Sequence, residues 1–158
     1  MSRETILAAL DMVEWPYAPN DENGVLQEFQ DRICRTARLG TSLISYSNLV
    51  AGVTFQFSNV NNGQPFVIDV HDWHGLHRRI VGDCLGYLSY ISYRDYDFMA
   101  SALVAGLAEN RPSEIFFEWM NDLGAIPNLS EEAITSFWVN EVNKAIAWYR
   151  RNPQGFSV

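Results

Sequence analysis

All three histidines of the chain, His71, His74 and His77, lie within seven residues, close behind Asp69. Imidazole is the commonest metal-binding side chain in proteins, and its pKa lies near neutral pH. Two or three imidazoles and one carboxylate could bind Zn²⁺ or another divalent cation. The window therefore predicts, as one interpretation, the metal site of a metal-dependent hydrolase or nuclease, built locally from these four residues.

The spacing of the histidines argues against that interpretation. Metal-binding pairs on a helix usually lie four residues apart, as in H-E-x-x-H, whereas these histidines lie three apart. The chain has no further histidine that could complete a phosphohydrolase site or serve as the base of a ββα-type nuclease. We therefore favour histidines at the start of a helix, which could also form a pH-sensitive or partner-contacting patch.

Other catalytic patterns are absent from the sequence. It contains neither a G-x-S-x-G turn, nor a glycine-rich phosphate loop, nor a G-x-G-x-x-G fingerprint. Cys34 and Cys84 lie in apolar, helix-like runs at a spacing that fits neither a zinc ribbon nor a redox pair, so we predict buried, reduced thiols. These observations leave an enzyme open but favour a protein without catalytic activity and without a cofactor.

Four tyrosines, Tyr87, Tyr90, Tyr93 and Tyr96, recur at every third position. On a helix each step of three residues rotates the side chain by about 60°, so the four rings extend around half of the helix. Some of them must border the core and others must face solvent. Tyrosine is enriched in interfaces, so we predict a contact surface for a protein partner and add Trp73 to it. The alternative is a set of rings at the core boundary with hydrated hydroxyls.

Composition restricts the class of protein. A chain of 158 residues suits one domain, over residues 1–158. The aromatic content of 13% exceeds what a small core easily buries, which predicts aromatic residues at the surface. The net charge of −8 opposes binding to nucleic acid phosphates and favours protein or small-molecule partners, or solubility alone. The tyrosines leave open a homo-oligomer as well as a different protein partner. Because the sequence shows neither a signal-like start nor an apolar run of membrane length, we predict a cytoplasmic protein with no membrane association.

Hydrophobic periodicity predicts an α+β fold, mostly helical, with about five to six helices. The predicted helices cover 3–14, 25–38 with Gly40 ending it, a short stretch capped by Ser45, 74–93, a stretch capped by Ser113, and Ser130 to about Arg151. Alternation over 53–57 and 66–70 around the turn at 61–63 predicts an antiparallel hairpin. The apolar run at 98–105 could be strand or helix, and we favour a third strand beside the hairpin.

Four short segments occur in an order that resembles a group of small bacterial proteins of uncharacterised function. The segments are I-S-Y-S-N-L-V at 44–50, A-S-A-L-V at 100–104, P-S-E-I-F-F at 112–117 followed by Leu123-Gly124, and F-W-V-N-E-V at 137–142 followed by Trp148. The pattern of that group runs Tyr-x-x-Leu, Ser-Ala-Leu-Val, Gly-Phe-Phe and Phe-Trp-x-x-Glu. This chain lacks the glycine before Phe116 and carries the hairpin in addition. The resemblance covers about residues 44–148 and implies neither an activity nor a functional residue.

The sequence thus favours a non-catalytic interaction module of bacterial or phage cytoplasm, such as a regulator, an inhibitor or an immunity-type protein. The metal-dependent hydrolase or nuclease is the alternative. A second alternative follows from the Tyr-x-x-Leu segment, which is similar to the entry of a winged helix and would indicate a nucleic-acid binder. The net charge argues against that second alternative.

Overall fold

The computed structural model describes residues 2–39, 43–106 and 110–158. In this part of the chain six α-helices occur: α1 (Arg3–Asp11), α2 (Val25–Arg38), α3 (Tyr46–Val50), α4 (Gly75–Tyr96), α5 (Glu114–Asp122) and α6 (Glu131–Arg151). The strands are short: β1 (Ile44–Ser45), β2 (Thr54–Phe55), β3 (Phe66–Val67) and β4 (Val104–Ala105). The predicted α+β, mostly helical class is confirmed. Gly40, the predicted end of α2, lies outside the described residues.

Serine side chains fix the starts of three helices. The hydroxyls of Ser2, Ser45 and Ser130 accept the backbone N–H three residues later, at 3.2, 3.0 and 3.2 Å. Each bond pairs an amide that the first helical turn leaves free. Ser113 precedes α5 as predicted but forms no such bond.

The hairpin is confirmed but is shorter than predicted. β2 pairs antiparallel with β3, and Phe55 lies opposite Phe66 with their ring centroids 5.6 Å apart. The connection turns through Asn61, Asn62 and Gly63, which all have positive φ angles of 54–76°. Asparagine and glycine tolerate this left-handed backbone, which explains why these residues form the predicted turn.

The run at 98–105 does not pair with the hairpin. It forms a short 3₁₀ helix, Ala100–Leu103, followed by β4, and β4 pairs in parallel with β1. Side chains of two helices bind its backbone amides: Ser92 and Ser89 on α4 accept the N–H groups of Ala100 and Ser101, both at 3.0 Å. From α6, a carboxylate oxygen of Glu141 accepts the N–H of Met99 at 3.0 Å. Since these partners lie outside the run, hydrophobic periodicity within it could not reveal them.

Helix α4 contributes to both hydrophobic clusters of the core. The larger cluster joins its residues Ile80 and Leu88 to α2, α3 and the hairpin, and the smaller one joins Tyr93 to α1, α5 and the start of α6. Within the described residues no helix is both long and apolar enough to cross a bilayer.

Candidate functional site

The four tyrosines of α4 lie in three different surroundings. Tyr87 and Tyr90 are half-buried, Tyr93 is only 7% exposed, and Tyr96 is 40% exposed. The rotation between successive tyrosines, predicted from their spacing, explains why they separate. The four rings therefore do not form one continuous contact surface.

Tyr93 belongs to the core. Its ring lies in the smaller hydrophobic cluster with Ile6 and Leu10 of α1. The guanidinium of Arg3 lies 5.6 Å from the ring centroid and donates hydrogen bonds to the carbonyls of Tyr93 and Arg94 at the end of α4. Burial raises the pKa of the Tyr93 hydroxyl. The side chain thus fastens α1 to α4 and is not available to a partner.

Tyr96 faces a different part of the molecule. Its ring lies 4.5 Å from Trp148 of α6 and 5.8 Å from Phe156 in the segment after α6. It is therefore separated from Tyr87 and Tyr90, which pack against Trp15.

Tyr87 and Tyr90 form an aromatic cluster with two tryptophans that the tyrosine spacing could not reveal. Trp15 lies at its centre, with ring-centroid distances of 5.6 Å to Tyr87, 6.2 Å to Tyr90 and 6.2 Å to Trp119. All four side chains are half-buried, because each ring packs on its neighbours with one part and faces solvent with another. We call Trp15, Tyr87, Tyr90 and Trp119 the aromatic surface.

Two residues of α4 hold Trp15 in this position. A Cβ atom on Gly86 would lie only 2.9 Å from the ring of Trp15, so the absence of a side chain there permits the close approach. One oxygen of the Asp83 carboxylate accepts the N–H groups of Tyr17 and Ala18, at 3.0 and 2.8 Å. Burial raises the pKa of the Asp83 carboxyl, although both amide bonds act in the opposite direction. The loop that carries Trp15 is therefore attached to α4 at two points.

Two exposed apolar side chains lie close in sequence to residues of the aromatic surface. Ile115 is 71% exposed and lies one helical turn before Trp119 on α5, and Met12 is 82% exposed at the end of α1. The buried side of α5 consists of Phe116, Phe117 and Met120, so Ile115 and Trp119 lie toward solvent.

Negative charge predominates around the aromatic surface. The hydroxyl of Tyr90 donates a hydrogen bond to the carboxylate of Asp11, and this bond raises the pKa of the Tyr90 hydroxyl. Glu14 precedes Trp15 and is exposed, as is Glu118 next to Trp119. The guanidinium of Arg94 lies 5.3 Å from the centroid of the Tyr90 ring.

The four residues of the predicted metal site lie just before α4 and in its first turn. Asp69 caps a 3₁₀ turn, Val70–Asp72, because its carboxylate accepts the N–H of His71 at 2.9 Å. His74 and His77 stack with centroids 3.7 Å apart at the start of α4. Across the described ranges no group of three or more His, Cys, Asp or Glu side chains is arranged to hold a metal ion. The metal hypothesis gains no support from this geometry and stays a prediction.

His77 is the most constrained of the three histidines. Partial burial lowers the pKa of its imidazole, and the adjacent imidazole of His74 lowers it further. Its Nδ1 atom is buried and, in the part of the chain that the structure describes, has no hydrogen-bond partner. Trp73 is half-buried, packs against the larger core cluster, and has its ring centroid 6.3 Å from that of His77. Trp73 thus belongs to the helix entry and not to the aromatic surface.

The cysteines are buried and unpaired, as predicted. Burial raises the pKa of the Cys84 thiol well above its ordinary value, and it also raises that of Cys34. A raised thiol pKa removes the thiolate that nucleophilic or redox chemistry requires.

Comparisons of the chain with models of protein families, with curated proteins and with solved structures gave no match. The resemblance to small bacterial proteins therefore stays a prediction. Two of the segments that carry it, 44–50 and 100–104, lie side by side in the fold, since β1 pairs with β4.

Proposed function

We propose that the chain is a non-catalytic protein-interaction module that contacts its partner through the aromatic surface. A regulator, an inhibitor or an immunity-type protein of bacterial or phage cytoplasm would use such a module. The observation that supports this most strongly is the cluster of three half-buried rings packed around Trp15.

The chemistry of the surface fits a protein contact. Tryptophan and tyrosine provide a disproportionate share of the binding energy of interfaces, because they bury large areas and lose little entropy when they are immobilised. Exposed Ile115 and Met12 add apolar area at the margins. Grouped apolar and aromatic side chains at a surface are typical of interaction sites.

The surface is also held in place before any partner binds. Asp83 and Gly86 fix Trp15 on α4, and the hydrogen bond to Asp11 fixes the hydroxyl of Tyr90. Side chains that are already ordered lose less conformational entropy on binding, which increases affinity.

Two tyrosines of the same helix provide a matched test. The tagged chain and its Tyr90→Ser, Trp119→Ser and Tyr96→Ser variants are purified from the source cells, and co-purifying proteins are quantified by mass spectrometry. Tyr96 is the control, because its ring packs on Trp148 and lies away from the aromatic surface. Thermal unfolding first establishes that each variant is folded.

We expect Tyr90→Ser and Trp119→Ser to reduce recovery of the same partner by about tenfold or more, as for central interface residues. Tyr96→Ser should leave recovery unchanged. Equal recovery with all four proteins, or loss with Tyr96→Ser alone, would contradict the proposed function.

A further inference from the structure

The acidic and the basic side chains beside the aromatic surface differ in whether they form ion pairs. Among the described residues, no cation lies within ion-pair distance of the carboxylates of Asp11, Glu14 or Glu118. The guanidinium over Tyr90, that of Arg94, is bonded to the carboxylate of Asp95 at 2.9 and 3.0 Å. The positive charge is thus neutralised within the molecule, whereas the negative charges remain available to a partner.

One side of helix α5 combines apolar, aromatic and acidic side chains. Ile115, Glu118, Trp119 and Asp122 fall within an arc of about 100°, since residues three and four apart lie on the same side of a helix. Ile115, Glu118 and Asp122 are exposed. A partner that covers Trp119 and Ile115 therefore meets two carboxylates at the same time.

A shallow depression of about 290 Å³ begins at Tyr87. Its lining includes Ala18, Leu26 and Asp21. The two carboxylate oxygens of Asp21 accept the backbone N–H groups of Asn23 and Leu26, both at 3.0 Å. This volume lies near the lower end of the range for small-molecule sites, and the depression is open to solvent. It offers the aromatic ring of Tyr87 and a carboxylate whose oxygens have further lone pairs, which suit the guanidinium of one arginine.

The same charges disfavour other occupants. A two-fold pair of copies would bring each surface against its own kind, so Asp11 and Glu118 of one copy would oppose like charges of the other. Like charges placed opposite each other suppress an association. Nucleic acid phosphates would be repelled for the same reason.

We propose that the occupant of the aromatic surface is a basic protein segment, with an arginine side chain in the depression beside Tyr87. This inference rests on the proposed function. Complementary charge accelerates the encounter of such a segment with the chain, and the aromatic rings provide the contact area.

A displayed library of random peptides, selected against the purified chain and in parallel against its Trp119→Ser variant, tests the proposal. We expect the peptides selected by the wild-type chain to be enriched in arginine and to bind the variant about tenfold more weakly or worse. Replacing the key arginine by citrulline, its neutral isostere, should weaken binding of a selected peptide by about tenfold. Changing the peptide in this way leaves the fold of the chain untouched.

Charge-neutralising variants of the chain provide the second measurement. Glu118→Gln with Asp122→Asn should weaken binding of the same peptide by roughly three- to tenfold, and less so at high salt. The control pair, Glu4→Gln with Glu132→Gln, removes equal charge from residues that are exposed elsewhere and should have no such effect.

The outcomes separate the two proposals. Peptides that require Trp119 but lack arginine, or that tolerate citrulline, would overturn the basic partner and leave the contact surface in place. Self-association of the chain that is abolished by Tyr90→Ser would do the same, with a second copy as the occupant. Peptides that bind the Trp119→Ser variant equally well, or no selected peptides at all, would overturn the proposed function itself.

Discussion

Gly82 and Gly86 lie one turn apart on α4, and replacing each by alanine should have different effects. Both substitutions replace glycine inside a helix, which by propensity alone should stabilise the fold by about 1 kcal/mol. Nothing lies within 4 Å of a Cβ atom at Gly82. At Gly86 the added atom would lie 2.9 Å from Cζ3 and 3.3 Å from Cη2 of Trp15.

The expected magnitude follows from these distances. Carbon atoms in contact lie about 3.5 Å or more apart, so the ring of Trp15 must move by about 0.6 Å or more. Overpacking of this kind costs about 1–3 kcal/mol, which cancels or exceeds the gain in helix propensity. Gly82→Ala should therefore raise the free energy of unfolding by about 1 kcal/mol, whereas Gly86→Ala should leave it unchanged or lower it by up to about 2 kcal/mol.

Urea unfolding of the wild-type chain and the two variants measures the difference in free energy. Fluorine NMR of 5-fluorotryptophan, with Trp15 assigned by substitution, reports whether its ring has moved. Gly86→Ala should shift the Trp15 resonance, and Gly82→Ala should not. If both variants are stabilised equally and the Trp15 resonance keeps its position, Gly86 does not determine the position of Trp15.

Three further predictions concern residues outside the aromatic surface. The pKa of His77 is lowered in the folded chain, so the unfolded chain takes up the proton first as the pH falls below about 6.5. The stability of the chain should therefore decrease below that pH. His77→Gln should reduce this decrease, as measured by thermal melts. Glu141→Ala leaves the buried N–H of Met99 unpaired and should lower the free energy of unfolding in urea by about 1–3 kcal/mol or more. An unchanged urea midpoint would contradict the role of that hydrogen bond. Gln30, fully buried, accepts the N–H of Phe156 at 3.1 Å, so Gln30→Ala should accelerate hydrogen exchange at residues 155–158 while α6 stays protected, and equal exchange rates would show that Gln30 does not hold this segment.

The helices were predictable because each carries its own signals. The apolar periodicity of α2 and α6 and the serine caps at Ser45 and Ser130 are local properties of the sequence, and they gave starting points that the structure confirms. The hairpin was predictable for the same reason, since its turn residues adopt the positive φ angles that Asn and Gly favour. Boundaries differ by a few residues, as for α1, predicted to residue 14 and observed to Asp11.

The position of the 98–105 run depends on contacts with elements outside the run. Ser89 and Ser92 look like ordinary polar residues of α4, yet their hydroxyls bind the amides of that run. The parallel pairing of β1 with β4 involves only two residues on each side, too few for a sequence pattern. Neither feature could be inferred before the helices were placed.

The candidate site was predicted in part. The tyrosine spacing correctly indicated that some rings would face out, but it could not identify Trp15, which reaches Tyr90 from a loop more than 70 residues earlier in the sequence. The histidine window was the most conspicuous local pattern. Asp69 caps a turn and His74 stacks on His77, and both are contacts between residues two or three positions apart.

Hydroxyl-radical footprinting of the chain, alone and with its bound partner or a selected peptide, tests the central claim most directly. Tyrosine and tryptophan rings are oxidised in proportion to their solvent exposure, so each ring reports on its own surroundings. We predict that Trp15, Tyr87, Tyr90 and Trp119 become protected on binding, while the exposed ring of Tyr96 reacts as before. Unchanged oxidation of those four rings, with protection at Tyr96 or at the helix entry around Trp73, would contradict the assignment of the aromatic surface as the contact site.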